Sequence, residues 1–236
     1  MCTVTFVNSS GKIIITSNRD EKVLRPKAIE PKNYLIHHKN VFFPKDSKAG
    51  GTWYAVDENA NVIVLLNGAA VKHVPKNHYR KSRGLILLDL IGSECITRYW
   101  NSIDLDDIEP FTLVVLENME LFQLRWDGEA KESIQLDETQ SYIWSSSTLY
   151  PMEIRERRAQ WFSAFLAGRQ TVSESGMMDF HRYTEEGNPE NGLVINRNEI
   201  LKTLSITQTV IEKNKVVLRH LDLIQNEQFT NSFIVI

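Results

Sequence analysis

The sequence predicts a layered α+β protein, because strand patterns open the chain, helix patterns follow them and strand patterns return at the end. β-Branched and aromatic runs fill residues 3–66, amphipathic helical patterns lie between residues 82 and 183, and dense β-branched runs occupy residues 193–221. The chain has 236 residues, 42% of them hydrophobic, and no change of composition divides it. We therefore predict one domain over residues 1–236, built around one large core.

Charge and cysteine content narrow the function classes. The net charge of −3 gives no general attraction to nucleic acid or anionic membranes. Only Cys2 and Cys95 are present, which excludes a disulfide framework and favours a reducing compartment. The first residues lack a signal-peptide pattern, and the apolar runs are too short to span a bilayer. We predict a cytoplasmic protein with a small-molecule ligand or substrate and without a nucleic-acid partner, integral membrane association, metal or cofactor. The oligomeric state stays open.

The first element is a hairpin of residues 3–7 and 12–17, turning at the polar residues 8–11. If paired residue numbers sum to about 20, Cys2 lies opposite Asn18, at the roughly 5 Å spacing of cross-strand neighbours. Asn18 and Asp20 then share the face of Cys2, and Arg19 points to the other face. A slip of one residue would exchange these roles.

Cys2 is a candidate nucleophile, because removal of Met1 would leave a cysteine with both a thiol and a free α-amine. The nucleophile and its base would then belong to one residue. Asp20 could orient the ammonium group, and Arg19 could hold a carboxylate or stabilise negative charge. The alternative is that Cys2 is an ordinary reduced cysteine and that residues 18–21 are a solvated strand end.

The strands continue after Pro26, which favours an extended exit from the hairpin. A second hairpin is predicted over residues 34–37 and 41–44 with its turn at Lys39-Asn40, and two further strands over residues 49–56 and 61–66. Asn67-Gly68 follows the second of these strands. The dipeptide is typical of a turn, and the alternative is that the Asn67 side chain donates to a developing oxyanion.

A basic segment and two helices follow. Basic side chains crowd around Pro75, and we predict a mobile basic loop at a pocket mouth that attracts an acidic ligand; they are Lys72, His73, Lys76, His78, Arg80, Lys81 and Arg83. Ser82 is predicted to cap a helix over residues 85–91, with a break at Gly92 and a second helix over residues 93–100. Cys95 falls inside that second helix, where apolar packing is its expected role.

The remaining elements alternate in type. Strands are predicted over residues 111–117, 120–126, 131–136 and 141–144. A helix is predicted from Pro151, with the proline in its first turn, and a short helix over residues 175–183. An irregular loop covers residues 185–192, and strands are predicted over residues 193–197, 202–211 and 215–221. In the middle strand of this last group, alternation puts hydroxyl side chains on one face, those of Thr203, Ser205, Thr207 and Thr209.

Several motifs occur together in one order along the chain. They comprise residues 1–4 (MCTV), 16–21 (TSNRDE), 25–26 (RP), 50–53 (GGTW), 82–84 (SRG) and 203–207 (TLSIT). This combination resembles the NRDE family, also called the Transport and Golgi Organisation 2-like family. The matching motifs span most of the chain, and they mark Asn18, Arg19, Glu21 and Arg83 as binding or supporting residues.

That family resembles the N-terminal nucleophile hydrolases of the choloylglycine hydrolase and penicillin acylase type. The resemblance implies a four-layer αββα sandwich of two antiparallel sheets, with Cys2 as nucleophile, Asp20 near its amine and Asn67 as oxyanion donor. The sequence also departs from the hydrolase pattern: serines such as Ser145 stand where a second asparagine is expected. The late arginine of those enzymes has no clear equivalent around Ser205, although Arg197 is nearby. We therefore count Ser145, Arg197 and Ser205 among the predicted binding or supporting residues.

Two functions follow from the resemblance. The first is an N-terminal-cysteine hydrolase that cleaves a non-peptide amide C–N bond. The second is a carrier or chaperone that keeps the scaffold without the chemistry, since eukaryotic relatives are linked to haem trafficking, acyl-CoA or lipid handling and secretory-pathway organisation. The same groove would then bind haem, acyl-CoA or another hydrophobic acidic ligand. A purely structural interaction protein is a third class, which rests only on the incomplete catalytic set.

Overall fold

The structure is a computed structural model that describes residues 3–235 and separates into two compact units. The first unit combines the N-terminal segment through Arg25 with Thr139–Ile234, and the second unit is Pro26–Glu138 together with Val235. Cys2, the predicted nucleophile, lies outside the described residues. The single domain expected over residues 1–236 stays a prediction, and each unit is described by itself.

Strands and helices are numbered in chain order. The strands are β1 (Thr3–Ser9), β2 (Lys12–Lys22), β3 (Ile29–Ile36), β4 (Lys39–Lys45), β5 (Tyr54–Asp57), β6 (Val62–Asn67), β7 (Phe111–Glu117), β8 (Glu120–Trp126), β9 (Lys131–Leu136), β10 (Tyr142–Ser145), β11 (Asn196–Arg197), β12 (Leu201–Glu212), β13 (Lys215–Asp222) and β14 (Glu227–Ile234). The helices are α1 (Arg83–Ile91), α2 (Ile96–Ser102), α3 (Met152–Leu166) and α4 (Glu174–Tyr183). The predicted α+β class, with two antiparallel sheets, is confirmed.

The first unit is a seven-stranded antiparallel sheet with the order β10-β1-β2-β12-β13-β14, and β11 also pairs with β12. Helices α3 and α4 pack on one face of it, which we call the helix side. Their apolar residues meet the sheet in a buried cluster of Val7, Ile14, Phe162, Met177, Phe180, Leu193 and Val210. Burial of this cluster, at about 25 cal/mol per Å² of apolar surface, holds both helices against the start of the sheet.

The hairpin of β1 and β2 forms, but its register differs from the prediction. Thr3 pairs with Asn18 and Ser9 with Lys12, so paired numbers sum to 21 rather than 20. The turn is the tight pair Ser10-Gly11, both at positive φ, and a shorter turn moves every cross-strand pair by one residue. Asn18 and Asp20 therefore share the face of Thr3, whereas Arg19 shares the face of Val4.

A register shift in β12 separates hydroxyl side chains that we expected on one face. Thr203 pairs with Asp20 and Ser205 pairs with Arg19, although Ser205 is two positions after Thr203 and Arg19 is only one position before Asp20. Such a bulge reverses the facing of the strand beyond it. Thr203 therefore lies on the helix side, and Ser205, Thr207 and Thr209 face the opposite way, so the predicted single row is wrong.

The second unit is a seven-stranded antiparallel sheet in the order β3-β4-β5-β6-β7-β8-β9, with α1 packed on β5 and β6. The hairpin of β3 and β4 turns at His37-His38, both at positive φ, rather than at the predicted Lys39-Asn40. A two-residue turn of this kind matches the twist of the flanking strands, and here tertiary pairing imposes it without the usual Asn-Gly.

Two family motifs meet inside the second unit. A Cβ atom added to Gly51 would lie 2.5 Å from the main-chain carbon of Gly84, and one added to Gly84 would lie 2.6 Å from the carbonyl oxygen of Thr52. The main chain of the GGTW segment thus runs directly against the start of α1. Only glycine allows this approach, which explains why both motifs carry it.

The predicted helices form with small changes of boundary. Ser82 caps α1, and its side chain accepts from the main-chain N–H of Leu85 at 3.4 Å. Helix α2 begins at Ile96 rather than residue 93, because the buried Glu117 carboxylate accepts the N–H groups of Ile96 and Thr97 there. Cys95 is therefore the residue before the helix and not an interior position.

Strand β14 was not predicted. Among residues 3–235, no helix is both long and apolar enough to cross a membrane.

Candidate functional site

The candidate site in the first unit is a buried polar cluster on the helix side, beside the start of β1. It consists of Thr3, Thr5, Asn18, Asp20, Tyr150, Arg158, His181 and Thr203, each at most 3% exposed. Strand pairing explains part of it: Thr3 lies opposite Asn18, and Asp20 lies opposite Thr203. The side chains from α3, α4 and the segment before α3 complete it.

Both carboxylate oxygens of Asp20 accept hydrogen bonds from hydroxyl groups. The Tyr150 hydroxyl donates to Oδ2 at 2.7 Å, and Thr203 Oγ1 donates to Oδ1 at 2.5 Å. Thr203 Oγ1 also accepts from the main-chain N–H of Ile195 at 2.9 Å. A buried carboxylate is tolerable only with such partners, so Asp20 fixes the end of β2 to β12 and to the segment before α3.

The guanidinium groups of two arginines lie near the ring of Tyr150. The Arg158 guanidinium carbon lies 3.6 Å from the ring centroid, and that of Arg197 lies 5.2 Å from it. The ring face attracts cations, and the hydroxyl at the ring edge donates to the Asp20 anion. Tyr150, itself fully buried, therefore links the buried Arg158 and the half-buried Arg197 to the buried Asp20 anion.

Arg158 is fully buried at the middle of α3 and is held by oxygen acceptors. Nη1 donates to Thr3 Oγ1 at 2.5 Å, Nη2 donates to the carbonyl of Asn191 at 3.1 Å, and Nη2 also donates to the carbonyl of Gly192. Arginine can serve this site because its planar fork presents several donors at once. The arrangement fixes Thr3, the first residue of β1, to α3 and to the loop after α4.

Asn18 and His181 form the second half of the cluster. Asn18 Nδ2 donates to the carbonyls of His181 at 3.1 Å and Leu193 at 2.6 Å, which identifies it as the nitrogen of the amide. Asn18 Oδ1 is then an acceptor, so Nδ1 of His181 must carry the proton that bonds to it. Nε2 of His181 is consequently bare and accepts from Thr5 Oγ1 at 2.8 Å.

His181 is neutral in this environment. Burial lowers its pKa from 6.5 to about 3, and the positive charge of Arg158 contributes to the same shift. A protonated ring would also oppose the hydrogen bond that Nε2 accepts. Asn18 and His181 thus form a structural pair that joins β2 to α4, rather than an acid or base available near pH 7.

The opposite face of the same strands carries Arg19 and Ser205, a directly paired set in which each residue is 4% exposed. Ser205 Oγ has no hydrogen-bond partner within the described chain, and neither does Thr209 Oγ1 on the same face. Arg19 and Asp20 are neighbours in sequence, yet they serve different faces of the sheet.

The other predicted support residues of the first unit lie around this cluster. Glu21, at the end of β2, accepts the N–H of Lys22 at 2.8 Å and lies 3.7 Å from Arg25. Ser145 pairs with Thr3, and its hydroxyl has no partner among residues 3–235. Arg197 donates to the carbonyl of Glu190 at 2.8 Å. The structure therefore brings Asn18, Asp20, Ser145 and Arg197 to one end of the sheet.

Asn67 and Arg83 belong to the second unit. Asn67 is the last residue of β6, paired with Phe111, and Gly68 follows it at a φ of +83°. Arg83 Nη2 lies 3.0 Å from Glu109 and Nη1 donates to the carbonyl of Pro110 at 3.2 Å. Asn67 is therefore a paired strand residue without the positive φ of an Asn-Gly hairpin turn, and Gly68 alone has a positive φ. Arg83 anchors the start of α1.

The basic segment around Pro75 is paired with acidic groups of its own unit. Lys76 lies 3.1 Å from Asp107, and Arg80 lies 2.9 Å from Asp104. His73 and Arg83 share Glu109, and Lys81 pairs with Asp89. Acidic side chains of the same unit thus pair with most of the charged groups of this segment. Its mobility and its place at a pocket mouth stay predictions.

Sequence reasoning missed Tyr150, Arg158 and His181. A signal for Arg158 was present, since it lies four residues after Ile154 and four before Phe162, on the apolar stripe of α3. His181 similarly follows Met177 by four residues in α4. A polar residue on an apolar helical stripe indicates a buried partner, and the partners here come from β1 and β2.

Comparison with solved structures shows an N-terminal nucleophile hydrolase-like fold. Penicillin V acylase from Agrobacterium tumefaciens has a TM-score of 0.56 and 8% identity, covering 98% of this chain and 85% of that one. An N-acylethanolamine-hydrolyzing acid amidase ortholog from Caenorhabditis elegans has a TM-score of 0.59 and 12% identity, covering 89% and 92%. The C2A mutant of conjugated bile acid hydrolase from Clostridium perfringens has a TM-score of 0.53 and 8% identity, covering 99% and 97%.

Sequence identities this low show that the fold is shared, and they say nothing about the activity of this chain. A search of curated proteins found no match. The model of the Transport and Golgi organisation 2 family matches residues 1–217, so the chain belongs to that family.

Proposed function

We propose that the protein is an N-terminal-cysteine hydrolase that cleaves a non-peptide amide C–N bond, with Cys2 as nucleophile after removal of Met1. The observation that carries this proposal is the pairing of Thr3 with Asn18 in a chain with the N-terminal nucleophile hydrolase-like fold. The residue after Cys2 is fixed directly opposite the NRDE motif, and Arg158 holds it from α3.

The bond-making and proton-transfer steps of the proposed reaction use the thiol and α-amine of Cys2 and a water molecule. The thiol gives its proton to the α-amine, and the sulfur attacks the amide carbonyl to form a tetrahedral oxyanion. The amine then protonates the leaving nitrogen as the C–N bond breaks, which leaves a thioester. Water attacks this thioester and the α-amine takes its proton. The C–S bond then breaks, the α-ammonium returns the proton to the sulfur, and the carboxylic acid leaves with the thiol restored.

The supporting roles are also proposals. Asp20 is assigned the role near the α-amine that the family resemblance implies. The register shift puts Asp20 on the face of Thr3, where the hydroxyl groups of Tyr150 and Thr203 hold its carboxylate. Asn67 is assigned the oxyanion-donor role that the family resemblance implies. Arg19 and Ser205, a buried pair with one hydroxyl lacking a partner, are assigned to the acidic part of a ligand.

The test combines intact mass spectrometry with an amide panel. Purified protein should lack Met1, and the panel should contain penicillin V, N-acylethanolamines and conjugated bile acids, the substrate classes named for the three solved structures. Cys2→Ala should lower turnover by about 10³-fold or more, and Asn67→Ala by about 10²-fold. Cys95→Ala is the matched control for loss of a thiol. Active protein that retains Met1 would refute this mechanism.

The second candidate is a carrier for haem, acyl-CoA or another hydrophobic acidic ligand. The observation that favours it is Ser145, a serine without a hydrogen-bond partner in the described chain, in the region where the resemblance expects a catalytic asparagine. Titration with haem and with acyl-CoA, followed by absorbance and by thermal unfolding, separates the two candidates. Binding that persists in Cys2→Ala, with no turnover of any amide, would establish the carrier function.

A further inference from the structure

Strand β14 ends the sheet of the first unit, with β13 as its neighbour in the sheet order. Its eight residues pair with β13 in one uninterrupted register, from Glu227 opposite Asp222 to Ile234 opposite Lys215. The strand contains no proline or glycine, and Glu227 at its first position is its one charged residue. It is therefore a regular and nearly uncharged edge.

The other three sheet edges carry features that discourage strand addition. β10 has only four residues. β3 contains Pro31, which has no N–H to donate, and its register shifts between Ile29 and Lys32. β9 begins with the charged residues Lys131 and Glu132. Natural sheets protect their edges by shortness, proline, bulges and charge, and β14 has none of these internally.

We propose that β14 pairs with β14 of a second copy of this chain, antiparallel and about a two-fold axis at Asn231, to form a continuous sheet across the dimer. This proposal is independent of the proposed hydrolase function. A two-fold axis perpendicular to the sheet keeps each face continuous, so opposed residues have the same parity. With the axis at Asn231, the numbers of two paired residues add up to 462.

The sequence of β14 is complementary to itself in this register. The half-buried Phe229 lies opposite Phe233 of the second copy, and the exposed Thr230 lies opposite its Ser232. Aromatic pairs and hydroxyl pairs are favourable across antiparallel strands. Glu227 lies opposite Val235, so like charges never meet. If the two-fold axis passed through Thr230 instead of Asn231, Phe233 would lie opposite Glu227. Both pairs of Phe229 with Phe233 would then be lost.

The size of the contact sets the expected affinity. Pairing of two eight-residue edges buries less than the roughly 1,600 Å² of a standard stable interface. We therefore expect a reversible dimer with a Kd on the order of 10 µM. Such a dimer is visible only when the protein concentration is varied over a wide range.

Sedimentation velocity on the full chain, from about 1 to 200 µM, tests the proposal. The wild type should shift from monomer to dimer, whereas Thr230→Lys with Ser232→Lys should stay monomeric, because each new ammonium would face another across the edge. Ile224→Lys, an exposed change in the turn between β13 and β14, is the matched control and should dimerise like the wild type. Urea unfolding of all three reports whether each variant is folded.

The register has its own test in a Cys2→Ala, Cys95→Ala background. Asn231→Cys should form a disulfide-linked dimer under mild oxidation, since the two copies of residue 231 lie opposite each other. Gln228→Cys should not, because it faces Ile234. A wild type that is monomeric at the highest concentration, a lysine variant that dimerises equally well, or crosslinking by Gln228→Cys in place of Asn231→Cys would overturn the proposal.

Discussion

The Tyr150 hydroxyl donates to Asp20 Oδ2 at 2.7 Å while the ring of the same residue lies 3.6 Å from the Arg158 guanidinium carbon. One side chain thus connects a buried anion of β2 with a buried cation of α3. Thr3 bonds to that same cation, so the beginning of β1 is tied into the connection. Four predictions follow from this cluster and from the glycine contact of the second unit.

Tyr150→Phe should lower the free energy of unfolding by about 2 kcal/mol, because it removes a hydrogen bond to a buried carboxylate and keeps the ring on Arg158. Urea denaturation measures the change. Tyr183→Phe is the control, since Tyr183 is an exposed tyrosine and its loss of a hydroxyl should change stability by less than about 0.5 kcal/mol. Equal effects of the two variants would contradict a stabilising bond to Asp20.

Arg158→Lys should cost about 3 kcal/mol of stability, because a single ammonium cannot serve Thr3 and the carbonyls of Asn191 and Gly192 together. The matched variant Arg157→Lys alters an exposed surface pair with Glu153 and should change stability by less than about 0.5 kcal/mol. Chemical denaturation of both variants at pH 7 gives the comparison. An Arg158→Lys variant as stable as the wild type would refute the bridging role of Arg158.

His181 predicts a specific dependence of stability on pH. Its pKa is about 3 in the folded protein against 6.5 for an ordinary histidine, so the unfolded chain binds the extra proton between these values. Stability therefore falls as the pH drops from about 6.5 toward about 3, by up to about 1.4 kcal/mol per pH unit. Above about pH 6.5, the ionisation of His181 does not affect the stability.

The measurement is urea unfolding of wild type and His181→Gln at pH 7, 6, 5 and 4. Groups other than His181 titrate in both proteins and cancel in the difference. The wild type should lose stability more steeply with acid, by about one proton per molecule, although His181→Gln starts from a lower value at pH 7. Parallel curves for the two proteins would show that His181 is not buried in its neutral form.

Gly51→Ala and Gly84→Ala should each destabilise the second unit by about 3 kcal/mol, because a Cβ at either position overlaps main-chain atoms of the other segment. Main chain cannot move aside as the end of a side chain can. Gly187→Ala is the control, with no atom within 4 Å of the added Cβ, and should stay within about 1 kcal/mol of the wild type. Thermal unfolding followed by circular dichroism distinguishes the variants.

The sequence by itself determined most of the secondary structure. The meander of β7, β8 and β9 has the bounds that periodicity and turn residues predict, and the helix predicted from Pro151 begins one residue later, at Met152. Ser82 was recognisable as a cap because its preference for that position depends on local main-chain geometry. The family resemblance and the α+β class also came from residues alone, since motifs in a fixed order and the order of elements are properties of the chain.

Only the tertiary structure decided on which face of the sheet each side chain lies and which distant residues it contacts. The turn at Ser10-Gly11 set the register of β1 with β2, and one residue of difference moved Asn18 and Asp20 to the face of Thr3. The bulge in β12 put Thr203 with Asp20 and left Ser205 with Arg19. Tyr150, Arg158 and His181 reach the cluster from segments more than 120 residues away along the chain from Asp20. Local propensity carries no information about such contacts, because their free energy arises only when distant buried polar groups satisfy one another.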